Sequence, residues 1–253
     1  MDAVERLIGR RWEGVTLNTF LKFGHLDRPV QRHLQRVYAT LGVALTISAL
    51  GCLADLHYGI AGILTYLAGF GCLLGITLTP ANPSNLNKRY AMLAGFAFCQ
   101  GAALGKLVDV ALDVDPGIVL TAFLGTATVF VSFTLAALIS ARRSFLFLGG
   151  WLASAVTGLM VLRLSSWLLG ARMLVFQVEV YFGLLAFALY VLLDTQLIVE
   201  KAAAGYTDPI KAALDLLVDI LAIFARVLVI LLQKQAQRQQ REANRRGNEK
   251  KRR

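Results

Sequence analysis

The chain has 253 residues, 57% of them hydrophobic, a mean hydropathy of +0.60, and 17% charged side chains against the roughly 25% usual for soluble domains. That excludes an ordinary soluble fold and predicts an all-α, polytopic membrane domain. The net charge of +10 does not indicate nucleic acid as a partner, because Lys and Arg cluster at the two ends and in short turns between apolar runs, where positive-inside bias and anionic lipid account for them.

Residues 1–36 are polar and basic with a weak amphipathic pattern (Val4, Leu7, Ile8, Trp12, Val15), expected to lie on the cytosolic membrane surface. Six apolar runs follow at roughly 37–56, 59–79, 90–112, 117–139, 145–168 and 174–198, each near the ~20 residues that cross a 30 Å hydrocarbon core. Glycines recur on them, as in Gly95, Gly101 and Gly105 or Gly62, Gly69 and Gly75, and read as close-packing faces. Cys52, Cys72 and Cys99 lie in these runs without CxxC spacing and read as small buried hydrophobes; no cofactor is indicated. Lys88 and Arg89, Arg142 and Arg143, and Lys201 and Lys211 mark the turns after runs two, four and six as cytosolic.

A seventh run, 210–232, completes a membrane domain spanning 37–232. It leads into a basic tail, 233–253, expected to be disordered. A full span places that tail on the far side against the positive-inside rule; a re-entrant run keeps it cytosolic. Under either topology its polar content makes run seven the helix to bury at the bundle centre.

The chemistry concentrates where run six meets run seven. Asp194 lies in the first; Asp215, Asp219 and Arg226 lie in the second. A carboxylate at the centre of a spanning helix costs roughly 2.5–3.5 kcal/mol on insertion scales, so the three acids have to face one another, water or a cation. In an antiparallel hairpin they sit at similar depth. Asp215 and Asp219 share a face by their i, i+4 spacing, and Arg226, seven beyond Asp219, returns to it as a candidate counter-charge. Asp194 and Asp219 are the candidate pH sensor and gate: two close carboxylates in low dielectric cannot both ionise cheaply and titrate as a unit. They are also the candidate weak calcium ligands, since calcium prefers hard oxygens but takes 6–8 of them. A partly hydrated, loosely held ion suits conduction. Asp109, Asp113 and Asp115 lie at the opposite mouth, where they concentrate cations or are simply solvated.

Five stretches together resemble the Bax inhibitor-1 family, in its eukaryotic endoplasmic-reticulum form. They are HLQRVYATL from His33, KRYAMLAGFAFCQGAALGKLVDVALDVDP from Lys88, TAFLGTATVFVSFTLAALISARRSFLFLGG from Thr121, YVLLDTQLIVEKA from Tyr190 and ALDLLVDILAIFARVLVILL from Ala213. The resemblance implies a bundle of seven hydrophobic helices, the last central and six wrapped around it. It implies a multi-pass protein of the endoplasmic reticulum, a pH-sensitive calcium leak channel that suppresses stress-induced cell death. The family's paired aspartates fall on Asp194 and Asp219, with Asp215 in a neighbouring acid position. Two features depart from the pattern: no Lys or Arg lies between Gly59 and Thr79, where bacterial members carry a latching arginine, and Ala212 stands where many eukaryotic members have histidine.

Other classes fit less well. Intramembrane aspartyl proteases need YD and GxGD helices and serine types a GxSG loop with a membrane histidine; none is present, and the most embedded histidine by sequence, His57, sits at a helix end. No enzyme is expected. A non-conducting adaptor, binding Bcl-2-type proteins or other channels of the endoplasmic reticulum through its cytosolic ends, is the alternative to a channel whose ligands are lipid, calcium and protons.

Overall fold

A bilayer core has no water to satisfy backbone polar groups, so each apolar run has to close its own hydrogen bonds, and each is helical. The computed structural model describes residues 27–140, 145, 147–169 and 172–252. Among these residues there are seven helices and no strand. They are α1 (Arg28–Tyr58), α2 (Ile63–Leu78), α3 (Leu86–Val114), α4 (Pro116–Ile139), α5 (Leu148–Leu169), α6 (Arg172–Ala203) and α7 (Pro209–Arg252), with a 3-10 turn at Pro83–Asn85. Local chemistry sets the ends. Proline opens α1, α4 and α7 in the first turn, where a missing N–H is harmless. The Asp115 carboxylate accepts the Gly117 N–H at the start of α4, 2.8 Å away. Gly205, at φ +87°, closes α6: its N–H reaches the Ala202 carbonyl and that of Tyr206 the Lys201 carbonyl.

Five helices, α1, α3, α4, α5 and α6, are long and apolar enough to cross a membrane. Helix α2, with 16 residues, rises only about 24 Å, short of the full-length run expected there. The outer surface is apolar: Val43, Leu64, Phe70, Phe123, Trp151 and Met160 are all more than half exposed, the reverse of a soluble protein and the pattern of a lipid-facing one.

The last helix is central. Ile210, Ala213, Leu216, Leu217, Ile223 and Leu228 are fully buried along one broad face, and no residue from Asp208 to Gln233 is exposed. Four helices pack against it, α1, α3, α4 and α6, whereas α2 leans chiefly on α3 and α5 on α6; the expected wrap of six is therefore an inner ring of four with two outer struts. Helices α1 and α3 touch at their backbones. A Cβ on Gly101 would run into the Ser48 carbonyl, and one on Gly51 into that of Phe98, so the small residues on this face are required by the approach.

Several boundaries differ from the sequence reading. The surface segment expected over 1–36 lies, up to residue 26, outside the described residues, while Arg28 to Arg36 form the first turns of α1. Arg142 and Arg143 also lie outside the described residues. The tail expected to be disordered continues α7 to Arg252: it is rich in Lys, Arg, Gln and Glu, good helix formers, and extending a formed helix needs no new nucleus. Run seven lies within one unbroken helix of 44 residues, with no chain reversal inside it. Among the described residues His33 is buried and His57 is exposed, because α1 begins early enough to carry His33 into the bundle. The three cysteines are free and half-buried rather than buried.

Candidate functional site

Three consecutive residues of α6 point to three neighbours, because each step around a helix turns about 100°. Asp194 faces α7, where its carboxyl lies beside that of Asp219, close enough for the two to interact directly, and Asp219 Oδ2 is buried with no hydrogen-bond partner among the described residues. Thr195, fully buried, faces the Tyr38 hydroxyl of α1 and Thr134 of α4, three buried hydroxyls near one another of which none has a hydrogen-bond partner among the described residues. Gln196 accepts the Phe145 N–H at 2.9 Å and donates to the Ala137 carbonyl, tying α6 to the end of α4 and the loop beyond it. The DTQ triplet is thus a junction of α1, α4, α6 and α7.

The structure brings Asp194 and Asp219 together. Each lies about 14–15 Å from the turn end of its helix, near the middle of a bilayer core. Asp219 is 3% exposed. A hydrogen bond between two carboxyl groups needs one proton between them. Among the described residues no Lys or Arg is within salt-bridge distance of either. Asp215 is close enough to act electrostatically on both, but its own partner is Lys211, one turn earlier at 2.8 Å.

A cavity of about 380 Å³ descends from the α6–α7 turn to Asp194 and Asp215, with His33, Lys201, Asp208 and Lys211 on its walls. One turn beyond the acids, Val191 of α6 and Ile223 of α7 are fully buried, so the polar space stops at the carboxyl pair.

Above the cavity sits a pair the sequence reading missed. Arg89, 4% exposed at the start of α3, grips Asp208 with both terminal nitrogens, at 3.0 and 2.7 Å. Asp208 also caps α7 by accepting the Lys211 N–H at 3.1 Å. Burial pushes the Asp208 carboxyl up, but the Arg89 guanidinium and the backbone N–H groups of Lys211 and Ile210 outweigh it and hold it below its ordinary value.

Arg226 does not serve the acids. Seven residues is about 10.5 Å along a helix, beyond the reach of a counter-charge. Its guanidinium lies 4.5 Å over the Phe187 ring and donates to the Ala222 carbonyl of its own helix at 2.9 Å. Asp109, Asp113 and Asp115 are exposed at the far end, and Asp115 is spent on the α4 cap. Among the described residues no group of three or more His, Cys, Asp or Glu side chains could hold a metal ion, so a calcium site at Asp194 and Asp219 has at most a pair of carboxyls.

A family described as "Inhibitor of apoptosis-promoting Bax1" matches residues 30–236. The chain is 41% identical over 230 residues to "Bax inhibitor 1" of Arabidopsis thaliana, covering 91% of each. It is 38% identical over 219 residues to "Bax inhibitor 1" of Homo sapiens, covering 86% of this chain and 92% of that one. With "Bax inhibitor 1" of Oryza sativa subsp. japonica it shares 39% identity over 224 residues, 88% of this chain and 89% of the relative.

Proposed function

This chain belongs to the family of inhibitors of apoptosis-promoting Bax1, and from that membership we propose that it suppresses programmed cell death by passing calcium out of the endoplasmic reticulum under the control of protons. It is a multi-pass membrane protein. The observation that carries the proposal is the contact of Asp194 with Asp219 at the closed end of a polar cavity, at mid-bundle, with no cation paired to either among the described residues.

The chemistry follows from that contact. With one proton between them the two carboxyl groups attract; without it two like charges face each other in low dielectric and strain the α6–α7 contact. The charge state of the pair therefore biases a two-state element, the hairpin itself. Calcium arriving through the cavity meets a pair of carboxyl groups and keeps most of its water, so it is held weakly enough to leave. Lipid is the medium, calcium and protons are the ligands, and the endoplasmic reticulum is the compartment we assign.

The test is calcium flux in liposomes containing only the purified protein, across pH. Asp219→Asn gives Asp194 an amide donor in place of the shared proton, so flux should lose its pH dependence while the protein stays folded. A titration identical to the wild type removes the pair from the gate. Absence of flux at every pH favours an adaptor acting through Bcl-2-type or channel partners.

A further inference from the structure

Below the carboxyl pair, past the fully buried Val191 and Ile223 where the polar space stops, α7 carries a charge of opposite sign. Arg226 projects from the same face of α7 as Asp219, about 10 Å deeper, and sits level with Phe187, seven residues before Asp194 on α6. The structure spends two features on seating it. Gly183 leaves a notch that any side chain would fill, since a Cβ there would collide with the guanidinium Nε. Phe187 offers its ring face. Yet the seat holds no anion: among the described residues no carboxylate is within salt-bridge distance, and the buried Nε has no partner. Glu179, the acid that acts on it electrostatically, is itself engaged by Arg163 at 2.7 Å.

A guanidinium in a membrane is costly, and one built into a fitted seat without a counter-ion is not explained by packing. We propose that Arg226 is the charge filter of the cation path, a fixed positive group beyond the aspartates that opposes divalent ions more than monovalent ones. This rests on the channel reading above. The repulsion scales with ion charge, so a divalent ion meets twice the barrier of a monovalent one at the same distance. The Asp194–Asp219 pair attracts cations into the bundle, and Arg226 sets how readily each kind leaves it on the far side.

The experiment compares calcium and potassium flux in liposomes carrying the wild type, Arg226→Gln, Arg226→Lys and Gly183→Ala. In Arg226→Gln the calcium-to-potassium flux ratio should rise by roughly tenfold. Arg226→Lys, which keeps the charge, should stay within about twofold of the wild type. Gly183→Ala evicts the guanidinium from its notch without removing it and should raise the ratio by a smaller factor, which supplies a second reading where Arg226→Gln does not fold. A merely structural arginine would change both fluxes together and leave the ratio alone, and that result overturns the filter. A wild type that passes neither ion overturns the channel reading beneath it.

Discussion

The α6–α7 hairpin carries two carboxyl-centred pairs of opposite character. At its turn, Asp208 is held by Arg89 through two parallel hydrogen bonds and caps a helix, leaving the Arg89 Nε buried without a partner among the described residues. About 14 Å deeper, Asp194 meets Asp219, a like group, with no cation paired to either among the described residues. The first arrangement joins opposite charges; the second sets like groups against each other. A satisfied pair fixes geometry; under the proposed function the like pair is the switch, and the hairpin is clamped at one end and movable in the middle.

Breaking the clamp should have the largest effect. Asp208→Ala leaves Arg89, almost fully buried, without its partner, and removes the α7 cap. Removing one partner of a buried pair costs about 3–5 kcal/mol, and thermal unfolding of the detergent-solubilised protein should fall accordingly. The same pair has a pH signature. A carboxyl held below its ordinary value in the folded state contributes stability at neutral pH that is lost as pH falls through that lowered value. The wild type should therefore lose stability on the acid side, and Asp208→Ala should lose less over that interval. Equal acid sensitivity in both would show that the clamp is not what titrates.

The middle pair should respond in the other direction. Replacing both partners of a buried polar pair by apolar groups is often neutral or stabilising, by about 1–4 kcal/mol. Asp194→Leu combined with Asp219→Leu should leave the unfolding temperature unchanged or raised while eliminating pH-dependent flux. A loss above about 2 kcal/mol would make this pair as structural as the clamp and erase the contrast.

What the sequence disclosed follows from what is one-dimensional about a membrane protein. Apolar runs and the acids that interrupt them are visible along the chain, and helix periodicity with a short turn placed Asp194 and Asp219 at one depth before any coordinates. Partners across the bundle are not visible that way. Arg89 and Asp208 are 119 residues apart, and Arg89 looks like any basic turn residue of the positive-inside kind. Tyr38, Thr134 and Thr195 left no signal, since hydroxyls on such helices usually bond their own backbone one turn back, as Thr46, Thr77 and Thr128 do here. The seven-residue spacing gave the face of Arg226 correctly but not its neighbours, which are Phe187 and the notch at Gly183. The tail misled because its composition suits disorder and helix alike, and only the helix feeding into it decides.

The smallest effect belongs to the pair between these two, Lys211 with Asp215, and it reports on the cavity. The groups are 2.8 Å apart at i, i+4 with side chains 43% and 35% exposed, and Lys precedes the acid, the weaker order against the helix dipole. If water fills the cavity, the pair is screened, and a double-mutant cycle with Lys211→Gln and Asp215→Asn should give a coupling of about 0.3–0.5 kcal/mol. A dry cavity would give the pair the character of the clamp above it, with a coupling above about 1.5 kcal/mol. Because an ion reaching Asp194 from the turn has to pass this point, weak coupling is what a hydrated entrance requires, and strong coupling would place the barrier to conduction here rather than at the carboxyl pair.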